Sequence, residues 1–198
     1  MVVIEDSTEL QLQQDHVIAL ECRQADRYGR GAIGIRELFR SSLRLRPDRI
    51  VIGEVRGGEA LDMIQAMTSG HGGSMGTLHA NNPHDALNRL ETMALMSQVE
   101  LPLHALRSQI ASAIDIVVQM SRHIGGYRKV TQITEVHTLG DDGKYRLQDI
   151  FTLQNMGDEK TPEKRMQLVW TGVRCSMAGH LRQEEMEQVP ESVRPLFG

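Results

Sequence analysis

The stretch Ile4-Glu5-Asp6-Ser7-Thr8-Glu9 puts three carboxylates between positions 5 and 9, directly after an aliphatic run. Carboxylates at the end of such a run can hold a magnesium ion through its water shell or orient an attacking water. On its own the stretch reads more readily as a solvated acidic loop. Ile50-Val51-Ile52-Gly53-Glu54-Val55-Arg56 is a second aliphatic run ending in an acid. That is the pattern of a strand whose terminal carboxylate touches a nucleotide-bound metal, and many buried strands share it. In Gly70-His71-Gly72-Gly73-Ser74-Met75-Gly76-Thr77-Leu78-His79-Ala80, two histidines flank a glycine-rich turn and a short strand. Glycines admit a ligand or a neighbouring strand close to the backbone, so His79 could bond a phosphate. The bland reading makes His71 a loop histidine and His79 a satisfied one at the edge of the core. Their spacing does not suit zinc, and no Cys lies near them.

Arg36, Arg40 and Arg44 recur every four residues and line one helical face, with Arg46 and Arg49 following. The face is either solvated or meets a phosphate or an adjacent subunit, for which the forked guanidinium is suited.

The elements that must position these groups follow from periodicity and punctuation. Val2–Ile4, residues 17–22, 49–54 and 74–80 read as strands, the third buried on both faces as in a parallel sheet. Helices are predicted from Ile35 to before Pro47, over 59–69, from the Asn82-Pro83 cap to about 97, and over 103–114. Ile116-Val117-Val118 reads as a further strand of the same alternation, which implies an α/β fold on a parallel sheet. After Gly125-Gly126 the character turns β-rich. Strands are expected over 129–138 and 145–153 around a Gly140–Gly143 hairpin turn, with another over 168–173. Residues 155–165 read as a loop and 178–187 as a helix. The predicted division is 1–122 for the α/β core and 123–198 for a β-hairpin and helix appendage. The abrupt opening in mid-strand suggests that something precedes Met1.

The chain has 198 residues, 40% of them hydrophobic and only 4% aromatic, so the core must be aliphatic. A net charge of −4 argues against a nucleic-acid binder working through bulk charge. Cys22 and Cys175 show no CxxC spacing and read as reduced thiols. No apolar run is long enough to span a bilayer and no signal peptide is evident.

In order and spacing, these stretches resemble the secretion ATPase superfamily of type II secretion, type IV secretion and type IV pili. Ile4–Glu9 is similar to its Asp box, Arg46–Arg56 to its Walker B segment and Gly70–Ala80 to its His box. Gly57-Gly58-Glu59-Ala60-Leu61-Asp62-Met63, Asp85-Ala86-Leu87, Arg89-Leu90-Glu91-Thr92-Met93 and Gln109-Ile110-Ala111 resemble the CpaF-type branch, the Tad/Flp pilus ATPases. The resemblance covers about the first 155 residues and returns weakly at Thr171–Arg174. It implies a RecA-like P-loop NTPase core, ATP with Mg²⁺, and a homo-hexamer on the cytoplasmic side of an inner-membrane platform protein, without nucleic acid. It also implies catalytic roles for Glu9, Glu54 and His79. Glu5, Asp6, Arg56, His71 and Thr77 would support nucleotide or metal, with Mg²⁺ reached indirectly through Asp6 and Glu54. Arg36, Arg40 and Arg44 are possible subunit-interface arginines. Gly76 stands where these proteins usually carry Thr, and His84 where Arg is common.

The phosphate-binding pattern G-x-x-x-x-G-K-[ST] occurs nowhere in the sequence; the one Gly-Lys pair, Gly143-Lys144, is followed by Tyr. Since that loop supplies most of the phosphate grip, the expectation is an ATPase in the parent protein and an inactive fragment. A type IV secretion traffic ATPase, a non-catalytic ring module and a nucleic-acid motor are the competing readings.

Overall fold

The computed structural model describes residues 1–123, 125–156 and 166–177. Two compact units divide the chain. The first is Met1–Ile114 with Thr138–Lys144, and the second is Asp115–His137 with the chain from Tyr145 on.

The first unit is built on a parallel sheet of order β2-β1-β3-β4, with β1 Val2–Glu5, β2 Ile18–Glu21, β3 Ile50–Ile52 and β4 Met75–Gly76. The unbroken aliphatic runs of β1 and β3 put every residue out of solvent, as central strands of a parallel sheet require. Edge strand β2 alternates half-buried and exposed positions. Four helices follow: α1 Ile35–Ser42, α2 Glu59–Thr68, α3 Pro83–Leu95 and α4 Leu103–Ala113. The side chain of Asn82 accepts the Asp85 N–H at 2.8 Å and Pro83 opens α3, as the sequence predicts. Helix α2 contacts α1, α3 and α4. The core is aliphatic apart from Phe39: Ile4, Ile50, Ile52, Ile64, Leu87, Leu90, Leu106 and Ile110 are all fully buried with it. Each contributes about 1.5–3 kcal/mol through burial.

Two expectations are corrected. The strand predicted over 74–80 is only two residues long. Beyond Gly76 the chain leaves the ladder after Thr77, whose backbone makes the last pairings, with Ile52 and Val55. The strand beginning at Ile116 does not join the parallel sheet. As β5, Ile116–Arg122, it pairs antiparallel with β6, Arg128–His137. The first compact unit runs to Ile114 and takes in Thr138–Lys144 as well.

The second unit is an antiparallel sheet of order β5-β6-β7-β8, with β7 Arg146–Asn155 and β8 Met166–Trp170. Ladder irregularities lie between Gln119 and Met120 and between Ile133 and Thr134. On β6, the carboxylate of Glu135 is only 2% exposed. It accepts the Ser176 hydroxyl at 2.6 Å, the Ser176 N–H at 3.0 Å, the Met177 N–H at 3.3 Å and the Cys175 thiol at 3.4 Å. Burial alone would raise its pKa. The bonds from Ser176 and Cys175 outweigh that, and the group stays below the usual carboxylate range. The predicted helix over 178–187 lies outside the described residues, as does most of the predicted 155–165 loop.

Candidate functional site

Strands β1, β3 and β4 run parallel, so their carboxyl ends share one edge of the sheet. That edge is where open α/β sheets bind ligands. It brings together Glu5, the last residue of β1, with Asp6 after it, Gly53 and Glu54 after β3, and Thr77 and His79 after β4. Backbone bonds continue past the strands: Gly53 N–H to Ile4 O at 2.8 Å and Val55 N–H to Thr77 O at 2.8 Å. The Thr77 hydroxyl donates to Gly53 O. Threonine at 77 thus ties the end of β4 to the peptide preceding Glu54.

Arg56 is the hub. Its Nη2 lies 2.5 Å from Glu54 Oε2 and its Nη1 3.1 Å from Asp6 Oδ2. The backbone beneath it is fixed by Glu59, whose Oε1 accepts the Arg56 N–H at 2.7 Å and the Gly57 N–H at 2.8 Å. His79 Nε2 sits 3.3 Å from the other oxygen of Glu54. Glu54 is thereby gripped on both sides. The hydrogen bond from Arg56, with the charges of Arg56, His79 and Arg89, holds its carboxyl below the usual range against the opposing effect of burial.

A carboxyl whose pKa is lowered by folding stabilises the fold above its unfolded value, here 4.5, and loses that contribution as pH falls through the lower folded value. The stability difference between wild type and Glu54→Gln, measured by denaturant unfolding, is therefore expected to be constant above 4.5 and to shrink on further acidification. A difference that grows in acid would contradict the arrangement.

Glu5 is engaged within its own loop. Buried at 6% exposure, its Oε1 accepts the N–H groups of Glu9 and Leu10, each at 3.2 Å. It fixes the loop leaving β1, whereas Glu9 itself projects from that loop, exposed. No described contact joins the Glu9 side chain to Glu54, Arg56 or His79. The Cys22 thiol is pushed up to about 11 by burial, then by a hydrogen bond to Asp6 and by the Asp6 charge, so it is protonated at neutral pH.

His71 lies at the other end of β4 from His79. Its carbonyl accepts the Ser74 hydroxyl at 2.8 Å and its N–H donates to Ala66 O at 3.0 Å. The structure therefore splits the histidine pair. Arg36 and Arg40 both engage Asp62, at 2.6 and 3.0 Å, while Arg44 is exposed. Helical spacing revealed the arginine face, but Asp62 carried no signal that it would hold it. Gly76 acquires a reason: a Cβ there would meet Met63 Sδ and Val55 Cγ2, both at 3.2 Å. A threonine at that position would crowd them.

Among the described residues no group of three or more His, Cys, Asp or Glu side chains is arranged as a metal cluster. The donors do fit magnesium as it is held beside phosphates. One or two carboxylates suffice there, with waters and phosphate oxygens filling the remaining positions.

The chain matches the family model described as Type II/IV secretion system protein over residues 1–189. It is 42% identical over 130 residues to the type IV secretion system protein PtlH of Bordetella pertussis, covering 63% of this chain and 38% of that one. It is 32% identical over 146 residues to the conjugal transfer protein TrbB of Rhizobium radiobacter, covering 68% and 42%. Among solved structures, it resembles the VirB11 ATPase from the Brucella suis type IV secretion system with a TM-score of 0.58 at 31% identity, over 67% of this chain and 38% of that chain. The chain thus spans about two-fifths of the length of these relatives. No helix among the described residues is long and apolar enough to cross a membrane.

Proposed function

The chain belongs to the Type II/IV secretion system protein family, and from that premise we propose that it is the catalytic-face part of an ATPase that drives secretion or pilus assembly. The observation that carries this reading is Glu54, held between Arg56 and His79 at the shared carboxyl edge of three parallel strands, with Asp6 on the same guanidinium. Glu54 and Asp6 would hold the magnesium of Mg-ATP through its waters. When bound, the metal neutralises phosphate charge. His79 and Thr77 face the same edge, on the phosphate side. Glu9, exposed on a loop anchored by Glu5, is free to orient the attacking water. Arg36 and Arg40, already paired with Asp62, would contribute to a subunit interface as part of that ion cluster rather than as free cations.

The parent protein would be a RecA-like hexamer at the cytoplasmic face of a membrane platform. The motif wording supports a CpaF-type pilus ATPase as the first reading. A type IV secretion ATPase is the second reading, supported by relatives named for type IV secretion and conjugal transfer.

The phosphate-gripping loop is absent from these 198 residues. The isolated chain is accordingly expected to bind Mg-ATP at best in the millimolar range, about −4 kcal/mol, and to turn it over negligibly. A polypeptide that also carries that loop should hydrolyse ATP. Calorimetric titration of the isolated chain and phosphate release from the longer one test the two halves. Tight binding by the isolated chain would overturn the first; no hydrolysis by the longer one would overturn the second.

A further inference from the structure

We infer that Arg49 and Ser74 are positioning residues that set the register of β4 from its far end, and so aim Thr77 and His79 at Glu54. The role in turnover rests on the ATPase reading above; the register device itself does not.

Strand β4 pairs with β3 through only Met75 and Gly76, opposite Val51 and Ile52. Two residues of ladder specify register weakly, and a slip by one would turn every side chain of β4 to the other face. His79 would then lose its approach to Glu54, and the Thr77 hydroxyl its hold on Gly53 O. The bonds of Thr77 to Ile52, Val55 and Gly53 hold the carboxyl end of β4; its amino end needs a hold of its own.

The structure supplies a clip at the amino end of the two strands. Arg49, the residue before β3, reaches across so that Nη1 donates to Gly73 O at 2.9 Å. The next residue, Ile50, donates its backbone N–H to Ser74 Oγ at 3.1 Å, and Ser74 Oγ in turn donates to His71 O at 2.8 Å. One side chain from each strand entry thus secures the turn between Gly70 and Ser74 to the base of β3. Gly73 is fitted to this clip. It has φ +74, which side-chain-bearing residues rarely adopt, and a Cβ there would fall 1.7 Å from Arg49 Nη1. At the same amino end, on the other flank of β3, Arg49 O accepts the Val2 N–H at 3.0 Å, so the same residue also joins β1 to β3. The clip is separated from Glu54 by the full length of β3, and neither side chain reaches the Glu54–Arg56–His79 group. Its influence passes through strand register.

The test uses Arg49→Met, which keeps the stem, and Ser74→Ala, with Ser74→Thr as the variant that retains the hydroxyl. In the 198-residue chain, amide hydrogen exchange at Thr77, whose N–H donates to Ile52 O, should rise about tenfold in Arg49→Met and Ser74→Ala. Exchange in α3 should not change, and Ser74→Thr should match wild type. In the longer polypeptide with its phosphate-binding loop, kcat should fall about tenfold with KM for ATP unchanged, because misaimed groups cost the chemical step rather than binding. Unchanged exchange at Thr77 overturns the clip. Raised exchange throughout α3 as well overturns it too, since the variants would then be loosening the whole unit. Raised local exchange with unaltered kcat overturns the positioning role while leaving the register device standing. An inactive wild type alongside raised local exchange refutes the ATPase reading instead.

Discussion

Glu54→Gln in a polypeptide that carries the phosphate-binding loop is expected to lower ATP turnover by about 100-fold or more while nucleotide binding survives. Glutamine has nearly the same shape, so the turn held by Glu59 and the Thr77 bond to Gly53 O remain. The negative charge is what is lost. Arg56 then faces Asp6 alone, and His79 has lost its ionised partner. Asp6 would be left as the one edge carboxylate to hold a water-bridged magnesium, so the defect should fall on charge development in the transition state rather than on nucleotide binding. Removing His79, whose side chain is 82% exposed, should cost less. Steady-state phosphate release with a parallel binding measurement decides the matter. Turnover within about twofold of wild type would remove Glu54 from the chemistry.

The second large effect concerns the fold. Glu135→Ala is expected to destabilise the second unit by about 3 kcal/mol, because it strands several donors at once. The Ser176 and Met177 N–H groups, the Ser176 hydroxyl and the Cys175 thiol all converge on this one buried carboxylate. Alanine fills little of the space and accepts no hydrogen bond. Denaturant unfolding gives the magnitude, and hydrogen exchange at Ser176 and Met177 gives the location. A loss below about 1 kcal/mol, the worth of a single ordinary hydrogen bond, would mean that water replaces the carboxylate there without penalty.

What the sequence made legible was local and periodic. The aliphatic runs of β1 and β3 were readable because a strand buried on both faces has no polar alternation to obscure it, and their terminal acids marked the edge where Asp6 and Glu54 meet. The cap at Asn82-Pro83 was readable because its partners lie within one helical turn. Pairings across distance were not. The run Ile116-Val117-Val118 is compatible with parallel or antiparallel pairing, and only the approach of Arg128–His137 decides it. Nothing in the sequence marked Glu135 as buried, since the groups it anchors arrive about forty residues later. Arg56 was identified, but its bridging of two strand ends depends on Asp6, fifty positions away. His71 and His79 stand apart because β4, short as it is, lies between them, as their places on either side of a short strand in the sequence imply.

That shortness has a consequence for handling the protein. No other described strand pairs with the outer side of β4, and Met75 there is 50% exposed. Backbone donors and acceptors beside an apolar side chain form a template on which another extended segment can grow. In concentrated solution the segments nearest to hand are other copies of the same chain. The colloidal behaviour of the chain, more than its folding equilibrium, should then decide how much of it stays dispersed, and a short soluble peptide that occupies this margin would act as its dispersant.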